Sequence, residues 1–481
     1  MNRAASRSQS RDRQGAVTGL EPRLKPSRRG FLAVLGGAGL LRGQPKTFDV
    51  RAYGAVGDGK TLDTAAIQRA LDEAAAAGGG ARVLIPGGKR YRTGALKLKG
   101  GIDLHLADDA ALEASTDPAD YTAGRGLLLA EGAQGLRITG TGCIDGQAMQ
   151  FMTGYSKTDE RWEPKPFRPR MLALTACRDL EISGITILHA PEWTVHLLGC
   201  ERVLVDGIKV RNHLDVPNCD GIDPDHCGEL EIRNCDIVCA DDAIVLKTSR
   251  QPIDYGPTAN VTVRDCVVET RDSGLKIGTE TFGDVYHVLF ERCKVRSGGR
   301  GPTITHRQAG NIYDIEFRDI EIAAEHHAAR WWGWGEAISL TVRPRASDGV
   351  VGKLSDVRIR RVSGRAENSV RIDGSKDNPV RNLLLEGVDV TIDRWTAYPG
   401  GMFDNRPTGP GVPGLEPHST PAFSIRRAEH VTLKDCRARW GGQRQDYFSH
   451  ALEAEDVKDL ELTRFTGEAA HPDRDEAVVV R

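Results

Sequence analysis

Short apolar-x-apolar triplets recur along most of the chain, and polar, glycine-rich turns separate them. The triplets begin at Leu136, Leu180, Val203, Leu230, Val261, Val288, Ile315, Val357, Leu383, Val431 and Leu460. Six of the shorter steps between them are 23, 27, 31, 27, 27 and 26 residues. Alternating apolar and polar positions are typical of β-strands, and a period of this length indicates a solenoid, propeller or array. The pattern predicts a single right-handed parallel β-helix of about ten coils.

One helix is predicted before the repeats begin, over residues 63–77. Ile67, Leu71 and Ala75 are spaced to share one apolar face, and Asp63 is placed to act as the N-cap. A solenoid has to shield the open edge of its first coil. We therefore expect this helix to cap the N-terminal end of the β-helix.

Four cysteines occupy the same place in the repeat, five residues after the start of a triplet. They are Cys235, Cys266, Cys293 and Cys436. Because equivalent positions of parallel coils lie side by side, we expect these thiols to stack as small buried side chains and to form no disulfide. The sequence contains no Cys-x-x-Cys pair, which argues against a zinc site.

Charge divides the chain into two regions. Residues 1–43 hold nine Arg and Lys against two acidic residues, which leaves the net charge of residues 44–481 near −9 although the whole chain has −2. An acidic main region excludes nucleic acid as the expected partner. Arg28 and Arg29 precede a short apolar run, Phe31–Leu41, that is too short to span a bilayer. This is the pattern of a twin-arginine export signal.

The sequence therefore predicts an export segment over residues 1–43 and a β-helix domain over residues 44–481. The expected location is the periplasm or the cell exterior. We expect a monomer that has no membrane association after export.

Two segments interrupt the repeat, His326–Arg345 and Tyr398–Pro421. The first carries Trp331, Trp332 and Trp334 within four positions. These rings either cover a face of a coil or form a platform for sugar rings, and we favour the platform. The second segment is rich in proline and glycine and is expected to be a surface loop.

Two acidic clusters lie 21 residues apart, from Asp220 to Asp241, close to one repeat period. Stacked coils should place them side by side, and crowding should raise the pKa of one carboxyl while its neighbours stay ionised. Asp241 and Asp242 would face opposite sides of a regular strand, so both can act only if the backbone bends there. Asp223 and Asp225 either belong to the site or cap turns.

These features resemble glycoside hydrolase family 28, the polygalacturonase and rhamnogalacturonase family. Tyr53–Lys60 with Thr64–Gln68 looks like the usual start of that family. Asn218–Asp220 stands at the place of its Asn-Thr-Asp motif, and Asp241 with Asp242 at the place of its paired aspartates.

The resemblance covers residues 47–465 and implies an inverting hydrolase of pectin-like polysaccharides. By that resemblance Asp241 would protonate the glycosidic oxygen, and Asp220 and Asp242 would hold and activate the water. No metal or other cofactor is expected.

The chain departs from the family pattern at the positions that would bind a uronate carboxylate. The family's Gly-His-Gly motif should fall near residues 272–274, where no histidine occurs. Its Arg-Ile-Lys motif should fall near residues 303–305, where both cations are absent. Candidate replacements are Lys276, Arg300, His306, Arg307 and, as the best placed, Lys247. The substrate-binding candidates are Asn218, Asp223, Lys247, Lys276, Trp331, Trp332 and Glu336.

Other functions are compatible with a β-helix. Asp223-Pro224-Asp225-His226 resembles, with altered order, a motif of alginate epimerases. A lyase or epimerase would need a base and neutralisation of the uronate charge, often by calcium. A carbohydrate-binding module without catalysis is the third alternative.

The paired arginines generate a prediction about export. Changing Arg28 and Arg29 to lysine should leave the precursor in the cytoplasm, because the export signal depends on the arginine pair. Cell fractionation and immunoblotting measure the distribution, with lysine substitutions at Arg11 and Arg13 as the matched control. Undiminished delivery of the Arg28→Lys, Arg29→Lys protein would contradict the prediction.

Overall fold

The computed structural model describes residues 45–347 and 349–481. The predicted export segment, residues 1–43, lies outside the described residues. Thirty-five strands join in one continuous parallel ladder that winds as a right-handed β-helix. Each coil contributes one strand to each of three parallel sheets, which we number 1 to 3 in the order in which a coil visits them. The predicted fold class is confirmed.

The strand bounds are as follows. Sheet 1 contains Thr47–Asp49, Ala81–Ile85, Ile102–Leu106, Arg137–Gly140, Arg178–Ser183, Glu201–Asp206, Gly228–Arg233, Thr258–Arg264 and Val380–Glu386. Sheet 2 contains Asp58–Leu62, Lys89–Thr93, Ala110–Ala114, Cys143–Asp145, Thr186–Leu188, Lys209–Arg211, Asp236–Val238, Val267–Glu269, Asp389–Ile392 and Arg437–Trp440. Sheet 3 contains Leu96–Lys97, Gly126–Glu131, Arg170–Thr175, Val195–Leu198, Ile222–Asp225, Ile244–Thr248, Ser273–Thr281, Arg300–His306, Glu336–Val342, Asn368–Asp373 and Val478–Val480.

Five longer strands pass from one sheet into the next without a break. Val285–Gly298, Ile312–Ala324 and Leu354–Ala366 run from sheet 1 into sheet 2. Phe423–Lys434 and Leu452–Thr463 run from sheet 3 into sheet 1. Three short 3₁₀ turns are also present, Val50–Tyr53, Pro118–Asp120 and Ala148–Phe151.

The predicted repeat register is confirmed residue by residue. The triplet residues are direct pairing partners in sheet 1, for example Leu180 with Val203, Val203 with Leu230, and Leu230 with Val261. The solenoid nevertheless has more coils than the ten or so predicted. The additional coils lie before Leu136, where the register partners Val83, Leu104 and Ile138 are separated by unequal steps of 21 and 34 residues.

Left-handed residues make the sharp bend from sheet 3 into sheet 1. Asp179, Arg202, Glu229, Asn260 and His287 occupy equivalent places on successive coils, each with φ between 50° and 57°. This conformation costs an ordinary residue free energy, and Asn and Asp tolerate it best. Its repetition keeps the bends of successive coils in line.

The core lies inside the coils, where identical side chains at equivalent positions of neighbouring coils stack on one another. Phe290 and Phe317, for example, are fully buried and stack with their ring centroids 4.8 Å apart. All ten cysteines are free thiols, as expected for the four in the repeat. Cys266 lies in contact with both Cys235 and Cys293, which confirms that the three stack on successive coils.

The capping helix spans Thr64–Ala77 and covers the first coil with Ile67, Leu71 and three buried alanines. Asp63 occupies the N-cap position, but its carboxylate makes no capping bond to the helix. It accepts hydrogen bonds from the backbone N–H groups of Val56 and Gly57 instead, at 2.7 and 3.0 Å. Asp63 therefore fastens the preceding turn to the helix.

Two antiparallel hairpins project from the β-helix. Met152–Ser156 pairs with Arg161–Pro164 in a segment that the sequence did not mark as an insertion. Met402–Asp404 pairs with Leu415–Pro417 inside the predicted surface loop. That loop is only partly a surface feature, because Phe403, Asp404 and Asn405 are buried. Within the described part of the chain, no helix is long and apolar enough to cross a membrane.

Candidate active site

Successive coils bring the two acidic clusters together where the chain enters sheet 3. Asp220 precedes strand Ile222–Asp225, and Asp241 and Asp242 precede strand Ile244–Thr248. These strands are neighbours in register, so Asp220 and Asp242 occupy equivalent places on successive coils. One carboxylate oxygen from each of the three aspartates lies within 4.8 Å of the others. The predicted proximity is confirmed.

The backbone at the aspartate pair bends, as both carboxyls require. Asp241 and Asp242 lie outside regular strand structure. The Asp242 backbone N–H donates to Asp241 Oδ1 at 3.0 Å, and the Thr270 hydroxyl donates to the Asp241 carbonyl. The next coil thereby fixes the bend. Asp241 remains half-buried, whereas Asp220 and Asp242 are almost fully buried.

Two buried lysines compensate the negative charge. Lys247 Nζ lies 3.3 Å from Asp220 Oδ2 and 2.9 Å from Asp223 Oδ1. Lys276 Nζ lies 2.7 Å from Asp242 Oδ2. Burial lowers the pKa of both lysines, but the neighbouring carboxylates outweigh it and raise each above its ordinary value. Both lysines therefore carry a positive charge at neutral pH.

The carboxyls cannot all be ionised at neutral pH. Burial, together with Asp220 and Asp242, raises the pKa of Asp241 to about 7. Burial and the proximity of Asp223 raise the pKa of Asp220 well above its usual value. We expected only one carboxyl to be perturbed, with its neighbours ionised. That expectation is wrong for Asp220, which is more deeply buried than Asp241 and lies between two other carboxyls.

A fourth carboxyl of the cluster was not predicted. Asp272 lies one coil beyond Asp241, at the end of the cleft where the family histidine was sought. Burial, followed by repulsion from Asp242, raises the pKa of Asp272 well above its usual value. The Ser273 hydroxyl donates to it at 3.0 Å. In the sequence, Asp272 is recognisable by its position about one repeat period after Asp241. It is an isolated aspartate and not part of a dense acidic cluster.

The aspartates face a cleft of about 430 Å³. Its lining comprises Arg161, Trp193, Pro217, Asn218, Asp220, Asp241, Asp242, Lys247, Asp272, Lys276, Thr279, Glu280, Arg330, Trp331, Trp332 and Arg406. The predicted residues Asn218, Lys247 and Lys276 are among them. Arg161, Arg330 and Arg406 were missed because each comes from an insertion, where the repeat gives no register.

The tryptophans divide between cleft and core. Trp332 is half-buried, with its ring 6.0 Å from Lys276 Nζ. Trp331 is only 3% exposed, and Trp334 is buried and stacks on His326 at 4.0 Å. Only Trp332 of the three therefore offers a broad surface to a sugar. Trp193, which was not predicted, is also half-buried in the cleft and covers Lys247 Nζ at 4.1 Å.

Several predicted residues lie beneath the cleft. Asp223 is fully buried and supports Lys247, so it neither lines the cleft nor caps a turn. Asp225 accepts hydrogen bonds from the backbone N–H and the hydroxyl of Ser249, and it fixes a turn. Glu336 was predicted to bind substrate, but it is fully buried and accepts the Trp334 N–H at 2.7 Å.

The three candidate replacement cations Arg300, His306 and Arg307 are buried and do not line the cleft. Of the predicted substitutes for the family's uronate-binding cations, Lys247 and Lys276 reach it. The exposed positive charge of the cleft comes from the arginines of the insertions.

Asn218 stands at the rim of the cleft in an exposed, left-handed conformation. Arg168 holds it by donating to Asn218 Oδ1 at 3.1 Å and to the Pro217 carbonyl at 2.7 Å. Asn218 thereby lines the cleft together with Asp220.

The carboxylates could in principle hold a hard cation, since carboxylate oxygens are its preferred ligands. Among the described residues, Asp220, Asp241 and Asp242 form the group close enough together to hold one ion. The ammonium groups of Lys247 and Lys276 already lie against this group. A cation would face two fixed positive charges, so the donor set fits an ion poorly.

Comparison with known proteins identifies the family. The family model for Glycosyl hydrolases family 28 matches residues 77–398. A probable polygalacturonase of Vitis vinifera is 32% identical over 369 residues, which cover 71% of this chain and 73% of the relative. An exopolygalacturonase from Thermotoga maritima shares the fold with a TM-score of 0.62 and 23% identity, over 72% of this chain and 87% of that one.

A second solved structure, the family 28 exopolygalacturonase of Yersinia enterocolitica, matches with a TM-score of 0.65 and 18% identity. The match covers 87% of this chain and 78% of that one. At this identity the two solved structures show the fold, whereas the family match and the Vitis vinifera relative establish the relationship. The chain belongs to glycosyl hydrolases family 28, and it is a polygalacturonase-like glycoside hydrolase.

Proposed function

We propose that this chain hydrolyses O-glycosidic bonds of a pectin-like acidic polysaccharide, a galacturonan or a rhamnogalacturonan, with inversion at the anomeric carbon. The observation that carries the proposal is the meeting of Asp220, Asp241 and Asp242 in one cleft. Glycoside cleavage needs one protonated carboxyl and one ionised carboxylate beside the scissile bond. The named activity of the Vitis vinifera relative supports the choice of polysaccharide.

Asp241 is proposed as the general acid. It is the most accessible of the three carboxyls and can reach a glycosidic oxygen in the cleft. Its pKa of about 7 leaves it largely protonated in mildly acidic solution, where it can donate its proton to the leaving oxygen.

Asp242 and Asp220 are proposed to hold the attacking water. Asp242 forms an ion pair with Lys276, which favours the carboxylate form that accepts a proton from water. Asp220 Oδ1 is buried without a hydrogen-bond partner in the protein, and a water held between Asp220 and Asp242 would supply that partner. Asn218, at the rim, is proposed to contact the substrate.

The assignment of inversion comes from the family resemblance and not from the carboxyl spacing. Inverting glycosidases usually separate their two carboxyls by about 6.5–9.5 Å, and retaining enzymes by about 5–5.5 Å. The 4.8 Å within which the three oxygens meet is shorter than both. The stereochemistry of the product is therefore the critical measurement.

The charge pattern favours an acidic substrate and argues against a lyase. Arg161, Arg330 and Arg406 present positive charge to the cleft, which would attract uronate carboxylates. A lyase that used a lysine as its base would need that lysine uncharged to remove a proton. Lys247 and Lys276 are held in the charged form by their carboxylates and cannot serve as that base.

Export through the twin-arginine signal, the periplasmic or extracellular location and the monomeric state stay predictions from the sequence. They suit a hydrolase whose polymeric substrate lies outside the cytoplasm.

The first test of the function measures reducing ends released from purified homogalacturonan, rhamnogalacturonan and neutral glucan. We expect release from an acidic pectic polymer without new absorbance from an unsaturated product. Proton NMR of the first-formed anomer should show inverted configuration. Unsaturated products would identify a lyase, and a retained anomer would exclude direct attack by water.

Replacing the acid tests the assignment of Asp241. Asp241→Asn should lower turnover by about 10²–10⁴-fold, the usual contribution of a positioned acid. The wild-type rate should fall above about pH 7, because Asp241 loses its proton there. This basic limb should be absent from the residual activity of the variant. Asp473→Asn, the same change at an exposed position, is the control, and a near-normal rate for Asp241→Asn would remove the assignment.

The aromatic platform is tested by Trp332→Ala. Loss of a half-exposed stacking surface should weaken glycan binding and leave the melting temperature nearly unchanged. Trp334→Ala should lower the melting temperature and leave glycan binding by the folded protein nearly unchanged. Removing a buried aromatic side chain costs about 3–5 kcal/mol of stability. Isothermal titration with an oligosaccharide and thermal unfolding separate the two. Equal binding by wild type and Trp332→Ala would contradict the platform.

A further inference from the structure

We propose that the insertion Tyr398–Pro421 closes one end of the substrate groove, so that the enzyme removes sugars from chain ends and does not cut within the chain. This inference rests on the proposed hydrolysis of an acidic polysaccharide. The groove of a β-helix runs along the axis, over the outward-facing side chains of a sheet. Whether it is open at both ends decides if a long polymer can lie across the carboxyls.

The outward-facing side chains of sheet 3 trace the floor of this groove. Lys276, Thr303, Ser339 and Arg371 are register partners on successive coils, from the active site toward the C-terminal end. Without a cover, these positions would be exposed to solvent. Instead Thr303 and Arg371 are fully inaccessible and Ser339 is 2% exposed. Low exposure is shared by Lys276 itself and by Val245 on its other side, so the contacts of the row, and not its burial alone, identify the cover.

The cover is the start of the hairpin in the insertion. Arg371 donates to the Asp404 carbonyl at 3.1 Å and to Asn405 Oδ1 at 2.6 Å. Its guanidinium also lies 4.3 Å from the centre of the Phe403 ring. Arg307, from the edge of sheet 3, donates to the Asn405 carbonyl at 3.1 Å. The insertion is thus bonded directly to the floor that a polymer would otherwise occupy.

Buried charges hold this segment against the active-site side as well. Arg300 Nη2 lies 3.2 Å from Asp404 Oδ2, and both side chains are almost fully buried. The same carboxylate accepts the Gly333 N–H at 2.7 Å. Separating this pair would leave a buried charge without its partner, which is costly. The cover is therefore a fixed part of the structure.

Arg406 completes the end wall. It donates to the carbonyls of Ala329 and Trp331 at 2.6 and 2.8 Å, and it lines the cleft beside Trp332. The insertion and the tryptophan segment are thereby joined across the groove. Arg330 lines the same end. Arg406 is ion-paired with Asp404 at 2.9 Å, so the exposed Arg330 supplies the positive charge that a terminal uronate would meet at this wall.

The opposite end of the groove differs. The same row continues toward the N-terminal coils through Val245, Asp223, His196, Ala173 and Leu129. Val245 and Asp223 are fully buried beneath the active site, and His196 is 7% exposed. Leu129 and Ala173 keep exposed surface, and Arg170 is half-buried as it stacks on Trp193 at 4.1 Å. The exposed surface of Leu129 and Ala173 marks the side from which we infer that a polymer enters the site. One end of the polysaccharide chain must then lie against the wall, and the scissile bond lies close to that chain end.

The test follows viscosity and products during hydrolysis of polygalacturonate by the wild-type enzyme. We expect mono- or disaccharide from the first minutes, with little loss of viscosity per bond cut. With oligosaccharides labelled at the reducing end, the small product should come from one end only. A rapid fall in viscosity with a ladder of oligosaccharides would overturn the proposal.

A variant pair locates the effect in the wall. Arg406→Ala should admit a longer chain, so that larger oligosaccharides appear among the first products. Pro410→Ala, at the exposed tip of the same insertion, should keep the wild-type pattern. If Arg406→Ala also keeps it in a protein of unchanged melting temperature, the wall is not the determinant.

The outcomes separate this inference from the proposed function. If no glycan of the panel releases reducing ends, the hydrolase proposal itself fails. If reducing ends appear from internal cuts, hydrolysis stands and the closed-end proposal falls.

Discussion

The structure depends on one constraint, the in-register stacking of parallel strands. Each coil lies about 4.7–4.9 Å above the previous one, and its backbone groups pair with those of its neighbours. A residue therefore has its equivalents directly above and below it, one repeat period away in the sequence. This single rule aligns Phe290 with Phe317, stacks the cysteines, and sets Asp220 beside the Asp241 and Asp242 pair. The active site therefore consists of acidic residues at equivalent positions of successive coils.

The same rule explains what could be predicted from the sequence. Sheet 1 and the capping helix followed from apolar spacing, because local alternation reports which face of a strand is buried. The proximity of the acidic clusters followed from the period. The burial of Glu336 and Trp331 could not be predicted from the period, because both belong to a segment that breaks the repeat. Arg161 and Arg406 reach the cleft from inserted hairpins, whose position depends on long-range contacts that no local pattern records.

The cleft combines carboxyls that need different protonation states. Burial alone would drive all of them toward the neutral acid, and it would leave no base for catalysis. The buried lysines oppose this, since Lys276 pairs with Asp242 and Lys247 with Asp220 and Asp223. Lys247 does not outweigh burial at Asp220, whose pKa stays well above its usual value, whereas Asp241 has a pKa of about 7 and is the most accessible of the three. Access to the cleft, and not protonation alone, therefore distinguishes the candidate acid from Asp220.

A solenoid offers a groove of uniform shape, so specificity has to come from what departs from the repeat. The catalytic carboxyls need only two or three coils, whereas the ends of the groove are shaped by residues inserted several coils away. Asp404 shows how such an insertion becomes rigid, because its buried carboxylate is shared by Arg300, Arg406 and the backbone of the tryptophan segment. The insertion lies outside the strands that carry the catalytic carboxyls, yet Arg300, Arg307 and Arg371 bind it to the coils beyond them. A change in the insertion must therefore keep partners for these buried arginines, because a buried charge without a partner is costly. The shape of the groove end is thus coupled to the coils that carry the insertion and not to the coils that carry the carboxyls.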